Sequence, residues 1–179
     1  MIKLHRRFKV FFITAVSVIV VDHLTKWIIR STMHLNQTIN VIGNFFTISF
    51  IYNTGIAFGI LNKNNSSAKT PLLIIFSIIA LGIILYIFYS LPRDIKLSGL
   101  SMGLIFGGAI GNMIDRIVRG KVVDFFDVDF FDINIPKLNF HMTRWPTFNV
   151  ADSAVFVGIL MLFIIIIVYG GKTEGEIKE

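Results

Sequence analysis

The chain has 179 residues, of which 54% are hydrophobic and 16% charged, and a net charge of +6. That balance excludes an ordinary water-soluble domain, since its eighteen phenylalanines are too many for a small hydrated surface. The absence of cysteine excludes thiol nucleophiles, disulfides and thiolate metal sites, and in so apolar a chain the basic excess belongs to an anionic membrane face, not to nucleic acid.

Hydropathy predicts four spans of about 20 residues, the length that crosses a bilayer core. The first covers 10–29, behind the basic stretch KLHRRFK. It does not read as a cleaved signal peptide, because the apolar run is too long, no small-x-small site follows, and Asp22 and Lys26 interrupt it. Lys3, Arg6, Arg7 and Lys9 at its start predict a cytoplasmic N-terminus, and four spans then leave both termini cytoplasmic. Residues 30–70 follow as an outer segment. In it TINVI and FFTISFIYN flank Gly43–Asn44, with Phe46, Ile48, Phe50 and Tyr52 in alternation. This predicts a β-hairpin lying on the membrane surface. The second span covers 71–91, with Pro71 in its first turn, and PRDIK links it to the third, 97–118. There Gly99, Gly103, Gly107 and Gly111 recur every four residues, a stripe that admits a close helix neighbour. Asp115 is the next position in that series, beside Asn112 and Arg116. A second outer segment, 119–151, opens with KVVDFFDVDFFDIN, which holds Asp124, Asp127, Asp129 and Asp132. The fourth span covers 152–170. The fold expected is an all-α, four-span integral membrane protein with a small outer β-hairpin or cradle, forming one domain over 1–179.

An ionisable residue in a span costs about 2.5–3.5 kcal/mol on insertion scales, so each is a functional candidate. Asp22, Lys26, Asn53, Asn112, Asp115, Arg116, Asn149 and Asp152 all fall toward the outer leaflet on this topology. Ordinary readings stand beside the functional ones. Asp22 and Lys26, four apart on one helix face, read first as a structural ion pair. Asn112, Asp115 and Arg116 read as a polar lock between helices. Asn149 reads as a helix cap, with Asp152 favoured by the helix dipole. Asp127, Asp129 and Asp132 read as a solvated loop face. The acidic run lacks the glycine and terminal glutamate of a calcium-binding EF-hand loop.

HExxH and GxSxG are absent, and His5, His23, His34 and His141 are scattered. No metal and no cofactor are expected. What remains is carboxylate chemistry. Two close carboxylates that share a proton can activate water and protonate a leaving group. Asp152 and one residue of the acidic run would supply such a pair, and spacing alone leaves open which one.

Five blocks then carry a resemblance: DHLTK at 22–26, YNTGIAFG at 52–59, GGAIGNMIDR at 107–116, VVDFFD at 122–127 and FNVADSA at 148–154. In order and around four spans, they resemble the lipoprotein signal peptidases (signal peptidase II) over nearly the whole chain. The resemblance implies an aspartic endopeptidase of the bacterial cytoplasmic membrane, with its active site toward the outer face. Its implied substrate is a prolipoprotein bearing diacylglycerol on the lipobox cysteine, cut just before that cysteine. The resemblance also implies contact with membrane lipids and sensitivity to globomycin-type inhibitors. It places the catalytic pair on Asp124 and Asp152 and binding or orienting groups on Asn53, Gly55, Asn112, Arg116 and Asn149. Asp22, Lys26 and Asp115 become structural polar positions. The stretch 127–148 is longer than the family leads one to expect. The reading from a different class is a non-catalytic membrane module, a lipid-binding assembly subunit or small transporter. Transport predicts repeat symmetry and midplane polar groups, neither of which is visible here.

Overall fold

Each of the four long apolar stretches forms a helix in the computed structural model, which describes residues 6–55, 69–90, 96–129, 133–135, 140–142 and 144–169. Helix α1 spans Arg6–Thr32, α2 Lys69–Ser90, α3 Lys96–Arg119 and α4 Val150–Tyr169. All four are long and apolar enough to cross a membrane. Residues 56–59 of the YNTGIAFG block, the PRD of the PRDIK link, Lys3, His5, Asp132 and the expected last residues Leu91 and Gly170 lie outside the described residues.

Helix α3 is the centre of the bundle, and its glycines explain why. A β-carbon at Gly99, Gly103 or Gly107 would lie 2.5–2.8 Å from the carbonyl oxygen of Arg7, Phe11 or Ala15 on α1. The two backbones can touch only because those positions have no side chain. Gly111, the next in the stripe, faces the Asp22 carboxylate. On the opposite side Gly108 meets the backbone of Ala151 on α4. Gly158 of α4 packs on α3 at Ser101, whose hydroxyl donates to the Gly158 carbonyl at 2.9 Å. Helix α2 is more peripheral. It docks through Phe88 on a cluster of Phe11, Met102 and Ile105. Phe11 and Phe88 stack with centroids 4.7 Å apart, and the Arg7 guanidinium sits over Phe88 at 4.4 Å. Large apolar side chains on the outer faces of α1, α2 and α4 remain exposed, as lipid contact requires.

The expected hairpin is present. Strand β1 (Thr38–Ile42) pairs antiparallel with β2 (Phe46–Asn53) across a turn at Gly43–Phe45. The segment after α3 is also strand, where a loop was expected. Strand β3 (Val122–Val128) pairs with β2 and completes a sheet of order β1-β2-β3. Strands β4 (Ile133–Ile135) and β5 (Phe140–Met142) form a second small hairpin. Strand β3 escapes sequence reading for a physical reason. Its first four residues are all buried, so VVDFFDV shows no alternation of apolar and polar positions. A second hydrophobic cluster of Met33, Phe50, Val123 and Phe125 seats the sheet on the bundle where α1 ends.

Candidate active site

Three local features deliver polar side chains to the junction of sheet and bundle. Helix α3 ends at Gly120, whose φ of +70° is left-handed and whose N–H closes on the Arg116 carbonyl at 2.9 Å. The chain reverses there, and two residues later β3 begins, with Asp124 third in the strand. Helix α4 is capped by a reciprocal pair. Asn149 Oδ1 accepts from the Asp152 N–H at 2.9 Å, and Asp152 Oδ2 accepts from the Asn149 N–H at 3.2 Å. The third feature is a bulge in β2. Ile48 pairs with Phe126 but Ile51 with Asp124, so β2 carries one extra residue between them. Without it Thr47, Ser49, Ile51 and Asn53 would share one face of the sheet. With it Thr47 and Ser49 face Asp127, while Asn53 faces Asp124.

Lys26 lies at the centre of the first polar group. Its ammonium is 2.8 Å from Asp22 Oδ2, 3.0 Å from Asp115 Oδ2 and 2.9 Å from Asn112 Oδ1. Arg119 pairs with the other oxygen of Asp115. Two carboxylates therefore stand against two cations, with Asp22, Lys26 and Asp115 all fully buried. The group also fixes backbone: Asp22 Oδ1 accepts the Ala151 N–H of α4 at 3.0 Å, and Asp115 Oδ2 the Val123 N–H of β3 at 3.4 Å.

The second group is framed by amides. Asp124, also buried, accepts from Asn53 Nδ2 at 2.8 Å and from Asn149 Nδ2 at 2.7 Å. Asp152 Oδ1 accepts from Asn112 Nδ2 at 2.7 Å. Asn149 Nδ2 also lies 3.2 Å from Asn112 Oδ1, so side chains from β2, β3, α3 and α4 form one connected network. Gly55 donates its N–H to Asn53 Oδ1 at 2.7 Å, which turns the Asn53 amide nitrogen toward Asp124. Gly55 holds a φ of +83°, and a β-carbon there would run into Leu73 of α2. Burial pushes the Asp124 carboxyl from its ordinary value of 3.8 up to about 6. The Asn53 and Asn149 bonds oppose that rise, and the nearby charge of Asp152 adds to it. The Arg116 guanidinium lies within the fields of Asp152, Asp124 and Asp115, and its buried Nε has no partner among the described residues.

Beside Asp152 lies a cavity of about 520 Å3, lined by Val128, Trp145, Phe148, Asp152, Ser153, Phe156 and Val157. Its wall is mostly apolar, with Asp152 and Ser153 as the polar lining residues.

Residues 14–168 match the family described as signal peptidase (SPase) II. The lipoprotein signal peptidase of Geobacter sulfurreducens is 39% identical over 155 residues, covering 87% of this chain and 89% of that one. The enzyme of Bacillus subtilis is 37% identical over 166 residues, covering 93% and 98%. The chain belongs to the signal peptidase II family. Two solved bacterial membrane enzymes, both determined by the in meso method, share the peptidase's fold with TM-scores of 0.70. One is 34% identical and covers 92% of each chain; the other is 33% identical and covers 87% and 91%. The protein is thus a multi-pass membrane peptidase, and nothing in these likenesses favours a non-catalytic module.

The polar positions Asp22, Lys26, Asn53, Asn112, Asp115, Arg116, Asp124, Asn149 and Asp152 reach this junction, with Gly55 bonded to Asn53. One expectation changes. Asp127 is not on a solvated loop face. Its carboxylate accepts from the Thr47 and Ser49 hydroxyls at 3.0 and 3.3 Å and from Arg144 Nε at 2.9 Å. Asp129 is more exposed and pairs with Arg144 at 3.3 Å. Sequence reading passed over Arg144 and Arg119. Arg119 had an available signal, its four-residue spacing from Asp115 on one helix face. Arg144 had none, because its partners are brought to it by strand pairing.

Proposed function

We propose that this peptidase is an aspartic endopeptidase in which Asp124 and Asp152 share one proton. Its substrate in this reading is a prolipoprotein carrying diacylglycerol on the cysteine that follows the cut. The observation that carries the reading is a pair of carboxylates from two elements, β3 and α4, joined by asparagine amides, with no cation among the described residues paired directly to either. Such carboxylates keep both protonation states within reach, whereas Asp22 and Asp115 are each paired directly with a cation.

Asp124, pushed up to about 6 by burial, suits the protonated role. Asp152 stands in the first turn of α4, where the helix dipole favours negative charge. In the step, ionised Asp152 takes a proton from water as the water oxygen bonds to the scissile carbonyl carbon. Asp124 donates its proton to the carbonyl oxygen. As the intermediate collapses and the C–N bond breaks, one hydroxyl proton returns to Asp124, and the proton held by Asp152 passes to the departing amino nitrogen of the lipidated cysteine. Arg116, whose Nε has no partner among the described residues, is a donor available for a substrate carbonyl. The cavity beside Asp152 is within the usual size for a ligand pocket, and its apolar wall suits the acyl chains.

With the basic N-terminus inside, the sheet and the site lie at the outer face of a bacterial cytoplasmic membrane, where lipids border the helices. Globomycin-type inhibitors are then expected to occupy the same cleft. Incubating the purified protein with a diacylglyceryl-modified prolipoprotein should release the signal peptide, read as a gel shift. Substantial cleavage by Asp124→Asn at normal protein level would refute the dyad.

A further inference from the structure

Strand β3 is followed, beyond the β4–β5 hairpin, by the segment 144–148, which returns along it toward α4. Backbone bonds hold this return. The Trp145 N–H donates to the Val128 carbonyl at 3.0 Å, and Phe148 and Phe126 exchange bonds of 3.0 and 2.8 Å. Arg144 adds the side-chain contacts. Its guanidinium donates to Asp127 Oδ1 at 2.9 Å, Asp129 Oδ2 at 3.3 Å and the Asn44 carbonyl of the β1–β2 turn at 3.2 Å. Asp127 is itself fixed by Thr47 and Ser49, and the Ser49 hydroxyl meets that of Thr38 at 2.9 Å. A continuous polar strip therefore crosses all three strands and ends on Arg144. An isolated surface ion pair contributes little, but a planar fork on two carboxylates and a carbonyl also fixes direction. The next residue, Trp145, lines the cavity that Asp152 also lines.

We propose that Arg144 is a positioning residue which holds Trp145 as a wall of the cavity, and that this wall sets which acyl chains the peptidase accepts. The inference rests on the reading of the cavity as the site of the substrate's acyl chains. Arg144 touches neither carboxylate of the dyad, so it acts through Trp145 on binding rather than on proton transfer.

The test measures kcat and KM with diacylglyceryl peptides of short and long acyl chains, for the parent, Arg144→Met, Arg144→Lys and Trp145→Ala, with thermal unfolding of each. Arg144→Met should raise KM for the preferred chain length by about tenfold, and flatten the ratio of KM values between lengths. The fall in kcat should be smaller than the rise in KM. Trp145→Ala should give the same pattern. Arg144→Lys should fall between, because one ammonium can keep Asp127 but does not reproduce the fork. Parental chain-length preference in both Arg144→Met and Trp145→Ala would overturn the proposal. So would losses of kcat and unfolding temperature with preference intact. If Arg144→Met fails to fold, Arg144→Lys and Trp145→Ala decide. The dyad has its own readout: a flat result here in an enzyme that Asp124→Asn silences removes the wall and leaves the dyad standing.

Discussion

Two clusters of carboxylates lie side by side in this protein and differ in what surrounds them. Asp22 and Asp115 are bound to Lys26 and Arg119, charge against charge. Asp124 and Asp152 are bound to the amides of Asn53, Asn149 and Asn112. Asn112 stands between the two, its oxygen on Lys26 and its nitrogen on Asp152. A carboxylate beside a cation is committed to its charge, since protonation would leave the cation alone in a low dielectric. One held by neutral amides is stabilised but not committed. On the proposed reading the first cluster holds helices and the second exchanges protons. Substitutions can break or sharpen that division.

The largest effect is expected at the amide-framed pair. Asp124→Asn and Asp152→Asn should each lower turnover by at least ~10²–10⁴-fold, the range for loss of a positioned acid or base. Neither should prevent folding, because asparagine is nearly isosteric. The double variant should be no slower than the worse single, as for groups that act as one unit. Single-turnover cleavage across the three variants measures this. Additive losses would mean that the two carboxylates work separately.

Substitution in the ion-paired cluster should reverse the pattern. Lys26→Met strands the buried Asp22 and leaves Asp115 with Arg119 alone, and breaking a buried pair costs about 3–5 kcal/mol. Unfolding in detergent should show that loss, with specific activity of the surviving folded fraction far less affected. Normal stability with abolished turnover would move Lys26 into the chemistry. Gly111→Ala probes the same cluster without altering charge. The added methyl would lie 2.8 Å from Asp22 Oδ2, and overpacking of this kind typically costs about 1–3 kcal/mol. Stability equal to the parent would show that α1 and α3 can part there freely.

How much of this was legible in sequence depends on the range over which each signal acts. The four helices declare themselves because a span is a long, continuous hydropathy signal, and the first hairpin because Gly43–Asn44 marks its turn. The convergence of Asp22, Lys26, Asn112, Asp115, Asn149 and Asp152 follows from helix spacing and from the cost of charge in a span. Strand β3 does not declare itself, since a strand buried on both faces loses its alternation. The choice of Asp124 from among four aspartates therefore rested on family resemblance. The bulge in β2 was equally hidden, though it is what sends Asn53 to Asp124 and Thr47 to Asp127. Thr47 and Asp127 are 80 residues apart, and only the pairing register joins them. Helix α4 begins at Val150, earlier than hydropathy implied, because the Asn149 cap and not the apolar run sets its first residue.

The smallest effect is also the most direct comparison of the two environments, and it concerns the proton on Asp124. Its carboxyl is raised to about 6, chiefly by burial, with Asp152 adding to the rise and Asn53 opposing it. Folding therefore strengthens proton binding at Asp124. Its contribution to stability is fully present below 3.8 and falls as the pH rises through about 6. Two substitutions should move this titration in opposite directions. Asp152→Asn removes a like charge, so the Asp124 pKa should fall, though burial keeps it above 3.8. Asn53→Ala removes a donor that favours the ionised form, so the pKa should rise. An infrared titration of the protonated carboxyl stretch reads both shifts, with Asp124→Asn identifying the band. Neither experiment depends on turnover, so both apply to inactive variants. A band that stays in place in Asp152→Asn would mean that the two carboxylates do not feel each other, and the shared proton would have to be abandoned even if both residues proved essential.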